Sequence, residues 1–212
     1  MFPAIGPSGS ERHRNTGPKQ DMSRATPLIL ATAIFMENMD STVIATSLAA
    51  IAADIGTDPI SLKLALTAYL VALAIFIPIS SWMADRFGAR RVFRLAMLVF
   101  MIGSIACAFS GSLAEFVGAR FIQGMGGAMM GPVARLVLVR MTPRHQLVDA
   151  MAWLTIPGLI GPIVGPPFGG FLTTYFSWHW IFIINVPIGL AGIWLCGIYL
   201  PEIPRRETSR LD

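Results

Sequence analysis

Glu37, Asp40 and Arg120 stand inside apolar runs where a charge finds little water. On insertion scales a carboxylate at the centre of a bilayer costs at least ~2.5 kcal/mol, so such a group faces a watery cavity, pairs with a partner or holds a proton. Glu37 and Asp40 are three residues apart, one turn along a single helix face. Desolvation makes a carboxyl hold its proton and a nearby cation makes it let go, so a site alternating between these conditions can load and release a proton. Ser41, Thr42 and Asn38 leave a second reading open, in which Asp40 is a structural carboxyl hydrogen-bonded locally. Arg120 does not readily deprotonate and must find an acceptor in the protein or snorkel. Gln123, Gly124, Gly127 and Gly131 continue its face and point to close packing there, whereas Arg135 is expected to snorkel and Glu115 to sit near the outer boundary.

A second stretch, Gly158 to Gly170, carries Gly161, Gly165 and Gly169 at every fourth position, with Pro162 and Pro166 beside them and Gly170 at its end. In water Gly and Pro cost a helix interior about 1 and about 3 kcal/mol. In lipid, neighbouring helices re-satisfy the backbone that Pro frees. The small-residue spacing predicts a helix face on which another backbone lies closely, and the prolines predict a bent helix at a moving interface.

These residues need long apolar elements to position them, and the composition supplies them. Hydrophobic residues make up 54% of the chain and charged residues 13%, against roughly 25% charged in a soluble domain. The expected fold is all-α, a polytopic transmembrane six-helix bundle in a lipid bilayer. Spans of about 20 residues fall at 27–51, 62–83, 92–109, 113–138, 148–175 and 181–200. Residues 1–26 are expected to be a disordered cytoplasmic tail, 27–200 the bundle and 201–212 a cytoplasmic linker. The net charge of +4 comes from basic groups at 12–24, 86–94, 140–144 and 205–210, in alternate connections. That is the positive-inside pattern, which predicts cytoplasmic termini and argues against nucleic acid as a partner. Cys107 and Cys196 are expected near opposite membrane faces, as small buried hydrophobes without a disulfide. His13, His145 and His179 have no metal-ligand spacing, and no GxxxxGK[ST] phosphate loop occurs. Neither metal, cofactor nor enzymatic activity is expected.

Several motifs carry a family resemblance. Gly161 to Gly170 fits GxxxGPxxGG, similar to the antiporter motif in span 5 of major facilitator superfamily exporters. Asp85, Arg86, Gly88, Arg90 and Arg91 resemble the superfamily's loop between spans 2 and 3, with Ser81 at its leading Gly position and Ala89 where Arg is usual. Arg120 to Ala128 resembles RxxQGxGxA of span 4, which the family links to proton transfer. Asp40-Ser41-Thr42-Val43 and Trp178 to Gly189 resemble span-1 and span-6 signatures of the fourteen-span drug:proton antiporters of the EmrB/QacA type; Ala45 and Ala49 stand where the first usually has Asn and Pro.

The resemblance implies the N-terminal half of a transporter built from two bundles around a midplane cavity. It implies efflux of a small organic solute in exchange for protons across a bacterial inner membrane, with Asp40 taking the proton and Arg120 tuning it; Glu37, one turn from Asp40, is a second proton-coupling candidate by its position alone. It also implies that the loop charges hold an inner gate. The partner would be a missing C-terminal half or a second chain, and the glycine face of span 5 would meet lipid or that chain. A metabolite transporter of the same superfamily and a non-transporting half-size subunit are the alternatives.

Overall fold

The computed structural model describes residues 25–200; nearly all of the expected tail and the whole of the expected linker lie outside them. The described chain forms helices α1 (Ala25–Ile55), α2 (Pro59–Phe87), α3 (Ala89–Ala108), α4 (Leu113–Met141), α5 (Leu147–Tyr175), α6 (His179–Ile183) and α7 (Asn185–Tyr199), with a 3-10 turn at Arg144–Gln146 before α5. Among the described residues, six helical segments are long and apolar enough to cross a membrane, α6 and α7 together making the sixth.

Local chemistry sets the boundaries. Asp58 caps α2 by accepting from the Ile60 amide, and Pro59 occupies the first turn, where its missing N–H costs nothing. Ser112 accepts from the Glu115 amide while Glu115 accepts from the Gly111 amide, a reciprocal cap that starts α4. Glu115 is thus an exposed capping residue at this end of the bundle. Gly88 alone joins α2 to α3, at φ +93°, a conformation that side chains rarely adopt. The outer connection expected over 52–61 shrinks to 56–58, because α1 and α2 extend past the apolar runs. The sixth span, expected as one helix, is broken at Ile184. Pro187 has no N–H to offer the Ile183 carbonyl, so the ladder is interrupted there and α7 starts afresh.

Two close pairings organise the bundle. α4 lies between α2 and α3, and its glycines let both backbones in. A Cβ on Gly124 would stand 2.8 Å from the Tyr69 carbonyl oxygen of α2, and one on Gly126 would run into the Phe100 backbone of α3. α5 runs parallel to α1 along its own glycines. Gly158 meets Ile34, Gly161 meets Met39, Gly165 meets Thr42, and Gly169 meets Val43 and Thr46. The glycine face of the fifth span therefore packs inside the bundle, on α1, rather than meeting lipid or a second chain. Four-residue spacing keeps the stripe in line with a neighbour over several turns, and the neighbour that fills it is a helix of the same chain. Pro162 and Pro167 point away from it and are exposed.

Apolar side chains fill two layers. One holds Met36, Phe93, Phe100, Met130 and Val137, and the other Ile44, Leu62, Phe116, Trp178 and Phe182. Large apolar residues are exposed along α2 (Leu64, Leu70, Ile75), α5 (Ile156, Leu159, Ile163) and α7 (Leu190, Trp194, Ile198). Bare apolar surface of this extent suits a bilayer rather than water.

Candidate functional site

Between the two layers lies a polar cluster to which α1, α3, α4 and α7 each contribute. Asp40 of α1 is 1% exposed and Arg120 of α4 is 0% exposed. Arg120 Nη1 donates to Asp40 Oδ2 at 2.6 Å and to Gln123 Oε1 at 2.5 Å. Gln123, one turn further along α4, donates through Nε2 to Asp40 Oδ1 at 2.9 Å and to Ser104 Oγ of α3 at 2.7 Å. Asn185, the first residue of α7, donates through Nδ2 to Asp40 Oδ1 at 3.1 Å and to Ser104 Oγ at 3.3 Å. The guanidinium carbon of Arg120 lies 4.4 Å from the centroid of the Tyr69 ring of α2, close enough for a cation–π attraction.

The carboxylate of Asp40 thus accepts three hydrogen bonds, one from a cation, which is how a charge withdrawn from water is stabilised. Arg120 takes the bundle acceptor and does not snorkel. Asp40 is enclosed by protein and, of the settings open to a carboxyl in an apolar run, takes the one in which it pairs with a partner. Gly124 and Gly126 bring α4 close against α2 and α3. Not every polar atom is used. Arg120 Nε and Nη2, Tyr69 Oη and Asn185 Oδ1 are buried without a hydrogen-bond partner among the described residues.

Glu37 contributes no atom to this network. It is half-buried one turn away, with Arg135 and Asp40 as its nearest charged influences. Arg135 is exposed, and with Asn38, Thr155, Gly158 and Pro162 it lines a recess of about 170 Å³ between α1, α4 and α5.

At the far end from the Asp58 and Ser112 caps, the loop residues make ties between helices. Asp85 of α2 pairs with Arg140 of α4, and Arg90 of α3 donates to the Gly197 carbonyl of α7. Arg86 lies over the Trp82 ring at 5.7 Å, and Gly88 makes the turn. Arg91 is exposed on the same turn. Of the glycine motif, Gly161, Gly165 and Gly169 are buried against α1, Pro166 is half-buried, and Gly170 has open space where a Cβ would be.

Ser104, Tyr69 and Asn185 are site residues that sequence reasoning missed as such. Asn185 stood in the span-6 signature, and a polar residue two before a proline in an apolar run was the available signal. Ser104 and Tyr69 carried none.

Six membrane-length helices around a buried ion pair define a multi-pass membrane protein. Residues 30–211 match the family model of the Major Facilitator Superfamily, and the chain belongs to that superfamily. It is 44% identical over 184 residues to the "Putative multidrug resistance protein MdtD" of Serratia proteamaculans, covering 87% of this chain and 38% of the relative. The protein of the same name from Yersinia enterocolitica is 43% identical over 190 residues, covering 88% and 40%. The chain therefore spans about two fifths of the length of these curated relatives. Its fold resembles the inward open xylose transporter XylE from E. coli, with a TM-score of 0.74 at 18% identity over 84% of this chain and 48% of that one.

Proposed function

We propose that this bundle is one half of the transport unit of a proton-coupled exporter of small organic solutes, working against a second six-helix bundle supplied by further chain or by another copy. The observation that carries the reading is the Asp40–Arg120 pair, buried where α1 and α4 meet. Membrane proteins rarely bury an ionisable residue there without using it for ions, protons or substrate. Similarity to relatives named as multidrug resistance proteins supports efflux as the direction. The span-1 and span-6 motifs alone support the fourteen-span branch, since the relatives' names do not carry it.

Asp40 takes up the proton in one state of the transporter and releases it in the other. Arg120 holds the ionised form by its charge and is freed when Asp40 is protonated. Proton and solute must prefer different states, because a ligand with equal affinity for both shifts nothing. Arg135 lines the recess between α1, α4 and α5, where solute would approach, while Glu37 stands beside Gly127 of α4. The Asp85–Arg140 and Arg90–Gly197 ties hold the helix ends on the cytoplasmic side of an inner membrane, the side set by Arg86, Arg90, Arg91, Arg94, Arg140 and Arg144. No chemical conversion of the solute is involved.

The test is proton-driven uptake of an organic cation dye into everted vesicles carrying the whole transporter. Asp40→Asn is expected to abolish gradient-driven uptake while energy-independent exchange of the dye survives. Full gradient-driven uptake by Asp40→Asn would remove Asp40 from the mechanism.

A further inference from the structure

Asn185 stands where its amide meets both the ionised carboxylate and the serine behind it. Its Nδ2 donates to Asp40 Oδ1 and to Ser104 Oγ, while its Oδ1 is buried without a partner. An ionised carboxylate only accepts hydrogen bonds, and a protonated one must also donate. Around Asp40 every neighbour is now a donor: Arg120 Nη1 at Oδ2, and Gln123 Nε2 and Asn185 Nδ2 at Oδ1. A proton arriving on Oδ1 therefore has no acceptor to face unless one neighbour reverses. Arg120 has no acceptor atom. Gln123 is fixed at both ends of its amide, its Oε1 accepting from Arg120 Nη1 and its Nε2 bonded to Asp40 and Ser104. Only Asn185 carries an idle acceptor on the same amide that now donates.

We propose that Asn185 is a positioning residue that reports and supports the protonation of Asp40 by turning its side-chain amide over. With Asp40 ionised, Nδ2 donates to Oδ1 and to Ser104. With Asp40 protonated at Oδ1, the amide rotates by half a turn and its Oδ1 accepts from the new carboxyl O–H and from the Ser104 hydroxyl, which switches from acceptor to donor. No covalent bond to carbon changes. The proton moves onto the carboxylate, and two hydrogen bonds reverse direction. Ser104 can take either role because a hydroxyl both donates and accepts. Other titratable groups around the carboxyl are Glu37 on α1, Tyr69 on α2, Cys107 on α3 and Arg120 on α4. Because Asn185 is the first residue of α7, the reversal acts where the sixth span is broken, and so links protonation on α1 to the start of α7.

The inference rests on Asp40 being the proton site. It is tested on the chain in lipid nanodiscs with side-chain ¹⁵N-labelled asparagine, of which the sequence has three, Asn15, Asn38 and Asn185. Asn185→Gln assigns the signal by its loss, and the Asp40 carboxylic C=O stretch is followed in parallel by infrared difference spectroscopy, assigned with Asp40→Asn. The Asn185 amide resonances are expected to shift with the same midpoint as the Asp40 band, and the shift to vanish in Asp40→Asn. In Asn185→Leu the C=O stretch is expected at higher frequency, since the protonated acid has lost its acceptor, and Asn185→Gln is expected to bring it back towards the wild-type position. If Asp40 titrates while the Asn185 amide stays still, or the band is unmoved in Asn185→Leu, the amide switch is wrong and the proton site stands. If the Asp40 band never titrates over the pH range in which the chain stays folded, both fall.

Discussion

Gly169 of α5 and Val43 of α1 pass so closely that a Cβ on the glycine would stand 2.7 Å from Val43 Cγ1 and 3.0 Å from the Val43 carbonyl oxygen. One residue later, Gly170 has nothing within 4 Å of the same position. The two glycines sit side by side in the motif, and only one is needed for the α1–α5 contact.

Gly169→Ala is therefore expected to destabilise the bundle by ~1–3 kcal/mol, the usual cost of forcing a methyl into a packed interface. Gly170→Ala is expected to change stability little or raise it slightly, through helix propensity. Thermal unfolding of the two variants in the same detergent checks this. Equal melting temperatures would mean that α5 does not use its glycine face against α1.

The Asp40–Arg120 pair gives an asymmetric expectation. Removing one partner of a buried pair typically costs ~3–5 kcal/mol, because the other charge is left uncompensated. The survivors differ, however. In Arg120→Met, Asp40 can become neutral by keeping a proton; in Asp40→Asn, Arg120 has no such escape. Asp40→Asn is expected to be the more destabilising single change, and Asp40→Asn with Arg120→Met to be less destabilising than Asp40→Asn alone. Denaturant unfolding of the three variants measures the order, and strict additivity of the two single changes would refute the coupling.

These two regions show what the sequence could and could not reveal. Asp40 and Arg120 were legible because a charge in an apolar run is expensive and demands an explanation. Their pairing required three dimensions, since 80 residues separate them. The glycine stripe was legible as a contact surface, but its partner was not. Four-residue spacing fixes a helix face and says nothing of which helix fills it; α1 has its own four-residue run of small residues, Ser41, Ala45, Ala49 and Ala53, yet meets the α5 glycines through Ile34, Met39, Thr42, Val43 and Thr46. Asn185 and Ser104 were missed because neutral polar residues are cheap enough in a membrane helix to raise no alarm on their own. The break at Ile184 was foreshadowed by Pro187, whose effect on a short apolar run depends on whether neighbours hold the two halves in line.

At the loop between α2 and α3, backbone and charge make separable contributions. Gly88 adopts φ +93° with free space around it, so Gly88→Ala meets no clash and is penalised by backbone conformation alone, by ~1–3 kcal/mol. Asp85 and Arg140 are partly open to solvent, with side chains 27% and 20% exposed. Asp85→Asn should cost no more than about 1 kcal/mol, and less at high salt. If Asp85→Asn instead proves the costlier change in thermal unfolding, the ion pair holds α2 to α4 more firmly than its exposure allows.

Across the membrane from that loop, Trp178 ties α1 to the start of the sixth span. Its indole Nε1 donates to Asp54 Oδ2 at 3.0 Å, and its ring meets Phe116 and Phe182 edge-on, each at 6.1 Å. Asp54 is exposed, so water replaces the lost donor when the indole N–H is removed. Trp178→Phe keeps most of the ring contacts and is expected to cost about 0.5–1.5 kcal/mol. Trp178→Ala empties a buried site and is expected to cost ~3–5 kcal/mol. Asp54→Asn retains an acceptor oxygen and should cost least. Unfolding in detergent ranks the three; a Trp178→Phe loss as large as that of Trp178→Ala would transfer the burden from ring packing to the hydrogen bond, and would make Asp54 the residue that holds α1 to α6.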